Sequence, residues 1–388
     1  MEFTTAGESH GPALTALVTG VPAGVHINVG AIDVDLARRQ GGYGRGGRQK
    51  IEHDTVRVLS GVRFSRSLGS PIALQVANAD HANWEDRMAT GGTPPEGLVR
   101  ETHPRPGHAD LAGMLKIGTA DARDILERSS ARETAARVAA GGVAKALLAQ
   151  LGVHVHAFVR RIGPAAMSRE AWASFVGAAE LDVEAIDASE CYCPCEQTTE
   201  AMKAAIDAAR ADGYSLGGEL TVVASGLVPG LGSYASGPER LTSRLGAALF
   251  SIPAIKGVEF GMGFAAAACP GSEVHDPIAY SEERGYYRTS NNAGGLEGGM
   301  TSGERLVASA AMKPIPTMMR PLATVDTDTH EPCAASKERS DTCAVPACAV
   351  VAEAEVAMVL ADAYVAKFGG DCLDDMLAAL AAYLERLA

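Results

Sequence analysis

Arg128-Ser129-Ser130-Ala131-Arg132-Glu133-Thr134 stands directly before a long stretch of alanine and other apolar residues, and this junction decides how the chain folds. Ser130 followed three residues later by Glu133 is typical of a capping box, which predicts that a helix begins at Ser130. The free N–H groups and the positive dipole end of such a helix favour a phosphate. Arg128 and Arg132 add two guanidinium groups, so the sequence predicts an anion site, with an ordinary capped surface helix as the alternative.

Outward from this junction, the apolar pattern predicts the same order of elements in each half of the chain. In the first half, strands are predicted over 14–19, 55–59 and 71–77, a helix over 32–39 and a long helix from 130 to about 151. In the second half, strands are predicted over 220–224, 257–260 and 306–311, a helix over 241–250 and a long helix from about 345 to 367. The approach Arg339-Ser340-Asp341 to the second long helix matches Arg128-Ser129-Ser130.

The region between the halves reads as a connector over about 153–212. Segment 153–160 alternates apolar and polar residues as an edge strand does, and 198–211 is typical of an amphipathic helix. The prediction is an α/β (α+β) fold, a single domain over 1–388 with pseudo-repeat halves of about 1–152 and 213–370. Long helices between sheets would bury both alanine faces.

The distribution of charge along the chain indicates which class of ligand to expect. The chain of 388 residues carries a formal net charge of −13, yet its arginines concentrate in two regions, 38–66 and 100–137. An acidic body with a local arginine cluster favours a small, multiply charged molecule over nucleic acid. No apolar run reaches the roughly 18 residues of a membrane span, and the start of the chain does not resemble a leader peptide, so a cytoplasmic location is expected.

Three motif matches fail on their context. Gly42-Tyr43-Gly44-Arg45-Gly46-Gly47 fits a dinucleotide-binding pattern, but a predicted helix precedes it where that fold needs a strand. The same loop resembles an RGG element for nucleic acid, but it occurs once and in ordered-looking sequence. Gly7-Glu8-Ser9-His10-Gly11 fits a nucleophile elbow that would use Ser9, but too little chain precedes it for that fold.

Cysteine spacing argues against a metal site. Cys191, Cys193 and Cys195 alternate, which fits neither common zinc patterns nor a redox pair. The prediction is reduced thiols on a strand or loop, with metal binding as the less favoured alternative.

Two histidines in glycine turns indicate acid catalysis. His10 is flanked by glycines, and His108 lies in Arg105-Pro106-Gly107-His108-Ala109-Asp110 beside an arginine. Either alone reads as a turn residue bonded to backbone. Together with the arginine clusters, they favour proton transfer to an anionic substrate.

These motifs, taken in order, resemble the chorismate synthase family along nearly the full chain. The segments that carry the resemblance are 7–12, 38–40, 42–46, 105–110, 128–137, 230–234, 252–260, 291–302, 313–314, 339–341 and 345–346. The resemblance implies a lyase of the shikimate pathway that converts 5-enolpyruvylshikimate 3-phosphate into chorismate by anti 1,4-elimination of phosphate, the last common step toward the aromatic amino acids. It also implies a requirement for reduced FMN, a β-α-β sandwich and a homotetramer.

The resemblance also implies roles for individual residues. The residues that would face the substrate are Ser9, Arg39, Arg45, Arg48, Arg105 and Arg132. The residues that would contact FMN are Arg128, Ser129, Ser130, Pro253, Ala254, Gly298, Lys313, Pro314, Ile315, Pro316, Thr317 and Arg339. His10 would protonate the departing phosphate, His108 would donate to the flavin near N1, and Asp341 would relay a proton from flavin N5. For Asp341, capping of the second long helix is the alternative.

Several points stay open at this stage. Pro253 and Pro316 depart from the family pattern, where an amide and a hydroxyl are common, so their flavin contacts are in doubt. The reductant could be NADPH bound by this protein or an external flavin reductase. The competing classes are a phosphotransferase, for which no P-loop is found, and a noncatalytic flavin-binding module, which would not need the two histidines.

Overall fold

The computed structural model describes residues 1–47, 53–338 and 340–387. The strands are β1 (Glu2–Ala6), β2 (Ala13–Thr19), β3 (Val56–Val58), β4 (Val62–Arg63), β5 (Arg66–Ser67), β6 (Ile72–Ala77), β7 (His154–Ile162), β8 (Ala165–Ala166), β9 (Gly218–Ser225), β10 (Ile255–Phe260), β11 (Ile278–Ser281), β12 (Gly285–Arg288), β13 (Leu296–Glu297), β14 (Met300–Thr301), β15 (Leu306–Met312), β16 (Ala323–Val325) and β17 (Pro332–Ala334). The helices are α1 (Val29–Gln40), α2 (Asp110–Ile117), α3 (Arg123–Leu126), α4 (Thr134–Gln150), α5 (Arg169–Gly177), α6 (Val183–Ala188), α7 (Glu196–Asp212), α8 (Leu241–Ser251), α9 (Gly271–Val274), α10 (Val345–Phe368) and α11 (Leu373–Leu387).

Two antiparallel sheets enclose the long helices. The first sheet has the order β1-β2-β6-β3, and the second has the order β10-β15-β9-β7-β8. In β6, Ile72, Leu74 and Val76 are buried while the residues between them are not, which is the alternation expected of a sheet with one face on the core. Helix α4 packs on the first sheet and α10 on the second, and the two helices pack against each other. The fold is therefore an α+β sandwich with helices between sheets.

The strand over His154–Ile162 belongs to the second sheet and, over most of its length, forms an edge of that sheet as predicted. β7 pairs with β9 along its length, and β8 pairs with the end of β7 at Arg161 and Ile162. With β7 included, the order β7-β9-β15-β10 matches β1-β2-β6-β3 strand for strand. We therefore propose that the chain is one domain of two equivalent halves, with the second beginning near residue 153 and not 213.

The helices of the middle layer approach each other closely. A Cβ atom on Gly141 of α4 would lie 2.3 Å from the Cβ of Ala354 on α10, so glycine is required at this crossing. Helix α10 is buried on nearly every face, as its almost uniformly apolar sequence predicts. This close crossing brings the N-terminal ends of α4 and α10 to the same region of the molecule.

The predicted capping box is half formed. Ser130 Oγ accepts a hydrogen bond from the N–H of Arg132 at 3.2 Å, and it caps a short 3₁₀ turn that leads into α4 at Thr134. The Glu133 carboxylate does not accept the second hydrogen bond of the capping box, from the N–H of Ser130. Its carboxylate instead accepts from Thr5 Oγ1, a tertiary partner, at 2.7 Å and from Nε of Arg137, one turn further along α4, at 2.9 Å.

Candidate active site

A cavity of about 430 Å³ lies where the N-terminal ends of α4 and α10 meet. Its wall is built from residues 129–134 before and at the start of α4, from 340–351 at the start of α10, and from loops at 45–47, 105–109, 252–254 and 312–317. Among the described residues, five cationic side chains line it against two carboxylates, those of Glu338 and Asp341. The helix start for which the sequence predicted an anion site thus lies in a cavity wall and not at an exposed helix end.

Most residues assigned to a site from the sequence meet in this cavity. The residues that line it are Arg39, Arg45, Arg105, His108, Ser129, Ser130, Arg132, Pro253, Ala254, Lys313, Ile315, Pro316, Thr317 and Asp341. Arg48 and Arg339 lie outside the described residues. Ser9, His10, Arg128, Gly298 and Pro314 are not part of the cavity wall.

Two of the arginines share one buried carboxylate. Asp54 accepts hydrogen bonds from Arg39 at 2.6 Å and from Arg132 at 2.6 and 2.7 Å, and its side chain is fully buried. Arg132 also donates through Nε to Asn78 Oδ1 at 2.8 Å and to the carbonyl of Ala77 at 3.0 Å. These contacts fix the two planar guanidinium groups side by side in the cavity wall.

Arg39 has unused donor capacity. Its Nε is buried and has no hydrogen-bond partner among the described residues. The pKa of Arg39 is lowered to about 10, mainly by burial and further by the neighbouring Arg132 and Arg45, while Asp54 opposes this effect. A buried cation in this condition favours an anionic ligand, because a ligand oxygen would supply the missing hydrogen bond and charge.

His108 is oriented by a buried aspartate. Asp110, at the start of α2, lies 2.5 Å from His108 Nδ1 and accepts from Arg105 Nε at 2.8 Å. Burial alone raises the pKa of Asp110, but hydrogen bonds from His108 and Arg105 outweigh it and hold the pKa well below its ordinary value. Because an ionised Asp110 accepts a hydrogen bond from Nδ1–H of His108, the Nε2 atom is left for a ligand in the cavity.

Asp341 interacts with the glycine-rich loop and does not cap α10. Its carboxylate accepts from Arg45 at 2.5 Å and from the N–H of Gly46 at 2.6 Å, whereas the residue at the N-cap of α10 is Ala344. The capping alternative for Asp341 is therefore wrong. The loop that resembled a dinucleotide pattern instead follows α1 and contributes Arg45, Gly46 and Gly47 to the cavity wall.

The wall of the cavity that contains Ala254 and Lys313 has a strained backbone position and a basic side chain. Ala254 has a φ of +72°, which is costly for a residue with a Cβ, and its carbonyl accepts from the N–H of Lys313 at 3.0 Å. Lys313 Nζ donates to the carbonyl of Gly107, and burial together with the nearby Lys256 lowers the pKa of Lys313. Arg105 donates to Thr317 Oγ1 at 3.0 Å, which joins this wall to the His108 turn.

His10 lies just behind the cavity wall. Its Nδ1 is 2.9 Å from Glu127 Oε1, and its N–H donates to Glu127 Oε2 at 2.8 Å. Burial raises the pKa of Glu127, but the hydrogen bonds from His10 and Arg123 outweigh it and leave that pKa below its ordinary value. Asn78 links this turn to the cavity, because it donates to the carbonyls of Glu8 and Gly11 and accepts from Arg132.

The remaining predicted residues have other surroundings. Ser9 is buried, and its N–H donates to the carbonyl of Glu127 at 2.9 Å. Arg128 is exposed and donates to the carbonyls of Thr5 and Gly7. Gly298 lies in the turn between β13 and β14, and Pro314 lies in the 312–317 segment without lining the cavity.

Sequence reasoning missed the carboxylates that orient the basic residues: Asp54, Asp110, Glu127 and Glu338. Asp110 had a signal, since it stands two residues after His108 within the quoted motif. Asp54 and Glu338 are single acidic residues far from their partners in sequence, and the i,i+4 spacing of Glu127 from Arg123 gives no sign of its contact with His10. Cys191, Cys193 and Cys195 are free thiols in the loop that leads to α7, and no group of three metal-binding side chains is found among the described residues.

The α+β sandwich and a cavity with an excess of cationic side chains define an enzyme for a small, multiply charged anion. A family model described as chorismate synthase matches residues 1–365. The chain belongs to the chorismate synthase family, whose members are carbon–oxygen lyases.

Individual relatives agree with this assignment along the whole chain. A chorismate synthase from Rubrobacter xylanophilus is 56% identical over 389 residues, which cover 99% of this chain and 97% of the relative. One from Symbiobacterium thermophilum is 53% identical over 393 residues and 100% of both chains. A solved structure described as a crystal structure of chorismate synthase matches with a TM-score of 0.80 and 39% identity, covering 100% of this chain and 98% of the other.

Proposed function

We propose that this enzyme eliminates phosphate and the C6 hydrogen from 5-enolpyruvylshikimate 3-phosphate in an anti 1,4 sense and releases chorismate, with reduced FMN as cofactor. The observation that carries the proposal is the cavity in which Arg39, Arg45, Arg105, Arg132 and Lys313 converge beside His108. A phosphate with about −1.5 to −2 charges and two carboxylates would match this excess of positive charge. Arg48 belongs to the same proposal as a further substrate contact.

The residues of the cavity are suited to bind both the substrate and FMN. The unpartnered Nε of Arg39 and the paired guanidinium groups on Asp54 suit the substrate's anionic groups. Apolar side chains of Ile252, Met312 and Val351 line the same cavity, as a planar ring system requires. The residues proposed to hold FMN are those assigned from the sequence: Arg128, Ser129, Ser130, Pro253, Ala254, Gly298, Lys313, Pro314, Ile315, Pro316, Thr317 and Arg339.

The protein's own contribution is binding and proton placement. When bound, reduced FMN supplies electron density that helps to expel phosphate and takes it back, so there is no net oxidation. His108 would donate a proton from Nε2 to the flavin region, since Asp110 occupies Nδ1. Asp341, held by Arg45 and Gly46, would accept the proton that originates at C6. His10 would protonate the leaving phosphate, and Ser9 would contact the substrate beside it.

Phosphate release from purified enzyme tests the proposal. We expect release from 5-enolpyruvylshikimate 3-phosphate under anaerobic conditions with reduced FMN, and none with oxidised FMN or without flavin. Turnover without any flavin would contradict the cofactor assignment, and no phosphate release under any of these conditions would contradict the function. A passive flavin carrier would bind FMN without turnover, and a phosphotransferase would need an acceptor.

Assembly, location and reductant complete the proposal. Exposed large side chains such as Phe264, Tyr286 and Ile278 support association into the homotetramer, which light scattering can measure.

Eight free cysteines suit the reducing cytoplasm, which fractionation tests. No helix in the described residues has the length and apolar character of a membrane span. An NADPH oxidation assay with FMN decides between intrinsic reduction and an external flavin reductase.

A further inference from the structure

The surroundings of His10 come from residues that the sequence motifs did not include. The imidazole stacks on the indole of Trp84, with ring centroids 4.1 Å apart and an angle of 30° between the planes. At its edge, Nδ1 lies 2.9 Å from the buried carboxylate of Glu127. One side chain therefore contacts the face of the imidazole and another holds its edge.

Trp84 is itself held in place. The guanidinium carbons of Arg123 and Arg87 lie 5.1 and 5.5 Å from its ring centroid, within the range of cation–π attraction. Arg123 also donates to Glu127 at 3.2 Å and to Glu338, a residue of the cavity wall, at 3.0 Å. Trp84, Arg123, Glu127 and His10 thus form a closed ring of contacts that reaches the cavity through Glu338.

The backbone of the His10 turn is fixed from the same segment of chain. His81 Nδ1 lies 2.8 Å from the carbonyl of His10, and Asn78 donates to carbonyls on both sides of His10. Asn78, His81 and Trp84 lie within seven residues, at and around a short 3₁₀ helix over Ala79–Asn83. This segment supports both the main chain and the ring of His10.

We propose that Trp84 is a positioning residue for His10, an inference that rests on the proposed function. A hydrogen bond at Nδ1 fixes one point of the imidazole but leaves rotation of the ring about that bond. The stacked indole removes this rotation, so Nε2 keeps one direction throughout the reaction. A general acid needs this restriction, because misplacement by about 1 Å can cost about 100-fold in rate.

Several charged groups surround the pair. Those in contact with His10, Glu127 or Trp84 are Asp80, with Oδ2 4.0 Å from His10 Nε2, and His81, Arg87 and Arg123. The pH dependence of His10 therefore has to be compared between variants that keep all of these groups. Substitution of the neutral Trp84 satisfies this condition.

Kinetics of Trp84→Leu in the full-length enzyme test the proposal. We expect kcat for phosphate release to fall about 10- to 100-fold, with a smaller change in KM. Trp84→Phe, which can still stack, should recover most of the activity. In a His10→Ala background, Trp84→Leu should cause no further loss of kcat, because the residue acts through His10. Wild-type kcat in Trp84→Leu, or an equal loss in both backgrounds, would overturn the proposal.

Fluorescence provides a readout that does not depend on turnover. Trp84 and Trp172 are the two tryptophans of the chain, so Trp172→Phe leaves Trp84 as the sole reporter. Because a cation against an indole face interacts with its π system, Trp84 emission should change as His10 titrates, and His10→Ala should abolish this change. Emission that titrates identically without His10 would overturn the stacking. If the wild type released no phosphate, the proposed function would fail while this titration still tested the contact.

Discussion

The Asp54 carboxylate accepts two hydrogen bonds from one nitrogen of Arg132, at 2.6 and 2.7 Å, and it has no contact with solvent. The same carboxylate binds Arg39. One carboxylate therefore contacts two buried guanidinium groups, and an anionic ligand would add negative charge beside them.

Asp54→Asn is expected to destabilise the protein and to increase its response to anions. Removal of one partner of a buried ion pair costs about 3–5 kcal/mol in the free energy of unfolding, because Arg39 and Arg132 lose their counter-charge. Inorganic phosphate should then raise the melting temperature of the variant more than that of the wild type. Thermal unfolding with and without phosphate measures both effects.

Asp187→Asn is the matched control for this prediction. Asp187 also pairs with an arginine, Arg38, at 3.1 Å, but its side chain is 47% exposed. The change in the free energy of unfolding should stay within about 0.5 kcal/mol, and phosphate should have no added effect. Equal anion responses in Asp54→Asn and the wild type would show that the two buried arginines need no ligand charge.

Two buried glutamates on α10 should respond to pH in opposite senses. Burial raises the pKa of Glu353, but Lys145 and Arg38 outweigh it and hold the pKa below its ordinary value. Burial raises the pKa of Glu355, and Glu133 adds to this while Arg137 only partly opposes it. Glu353 therefore contributes stability above the ordinary carboxyl pKa that is lost as pH falls. Glu355 instead carries a penalty that is relieved as pH falls.

Chemical denaturation of Glu353→Gln and Glu355→Gln from pH 7 to pH 4 measures this difference. At pH 7, Glu353→Gln should lose about 3–5 kcal/mol of unfolding free energy, since Arg38 and Lys145 stay buried without it. As the pH falls, the unfolding free energy of the wild type minus that of Glu353→Gln should decrease. The unfolding free energy of the wild type minus that of Glu355→Gln should increase. Slopes of the same sign for both variants would contradict the assignment.

The sequence predicted the fold where local pattern and burial coincide. The long helices were placed within a few residues because both are alanine-rich runs, and that of α10 is almost uniformly apolar, in keeping with its burial. Alternation over 153–160 indicated a half-exposed strand but not its partner, so the pairing of β7 with β9 could not be predicted. β9, which pairs with β7, begins more than fifty residues after β7 ends. Glu133 likewise does not complete the capping box, because it contacts Thr5, a tertiary partner, and Arg137, which lies one turn further along α4.

The basic half of the site was predictable and its acidic half was not. Arginines and histidines stand in dense motifs such as 105–110 and 128–137, so their convergence could be expected. Asp54 and Glu127 orient these groups from isolated positions, and a lone carboxylate carries no signature of its partner. His10 could be named, but its place behind the wall depends on Trp84 and Asn78, which come from a separate turn.

Gly141→Ala is expected to weaken the middle layer. The new Cβ would come within 2.3 Å of Ala354 Cβ, so α4 and α10 would have to separate at a cost of about 1–3 kcal/mol. Gly246→Ala in α8 is the control, because no heavy atom lies within 4 Å of its added Cβ. That variant should gain about 0.5–1 kcal/mol from helix propensity. Denaturant midpoints measure both changes, and stabilisation of Gly141→Ala would refute the close crossing.

His108→Ala and Arg45→Ala should separate catalysis from binding. His108 is held by Asp110 with one nitrogen left for proton transfer, so its loss should lower kcat by about 100-fold or more while substrate KM changes little. Arg45 offers a charged donor to the substrate and pairs with Asp341, so its loss should raise KM by about 10- to 100-fold. Steady-state kinetics with saturating reduced FMN distinguish the two, and equal rises of KM in both variants would mean that His108 binds substrate instead of moving a proton.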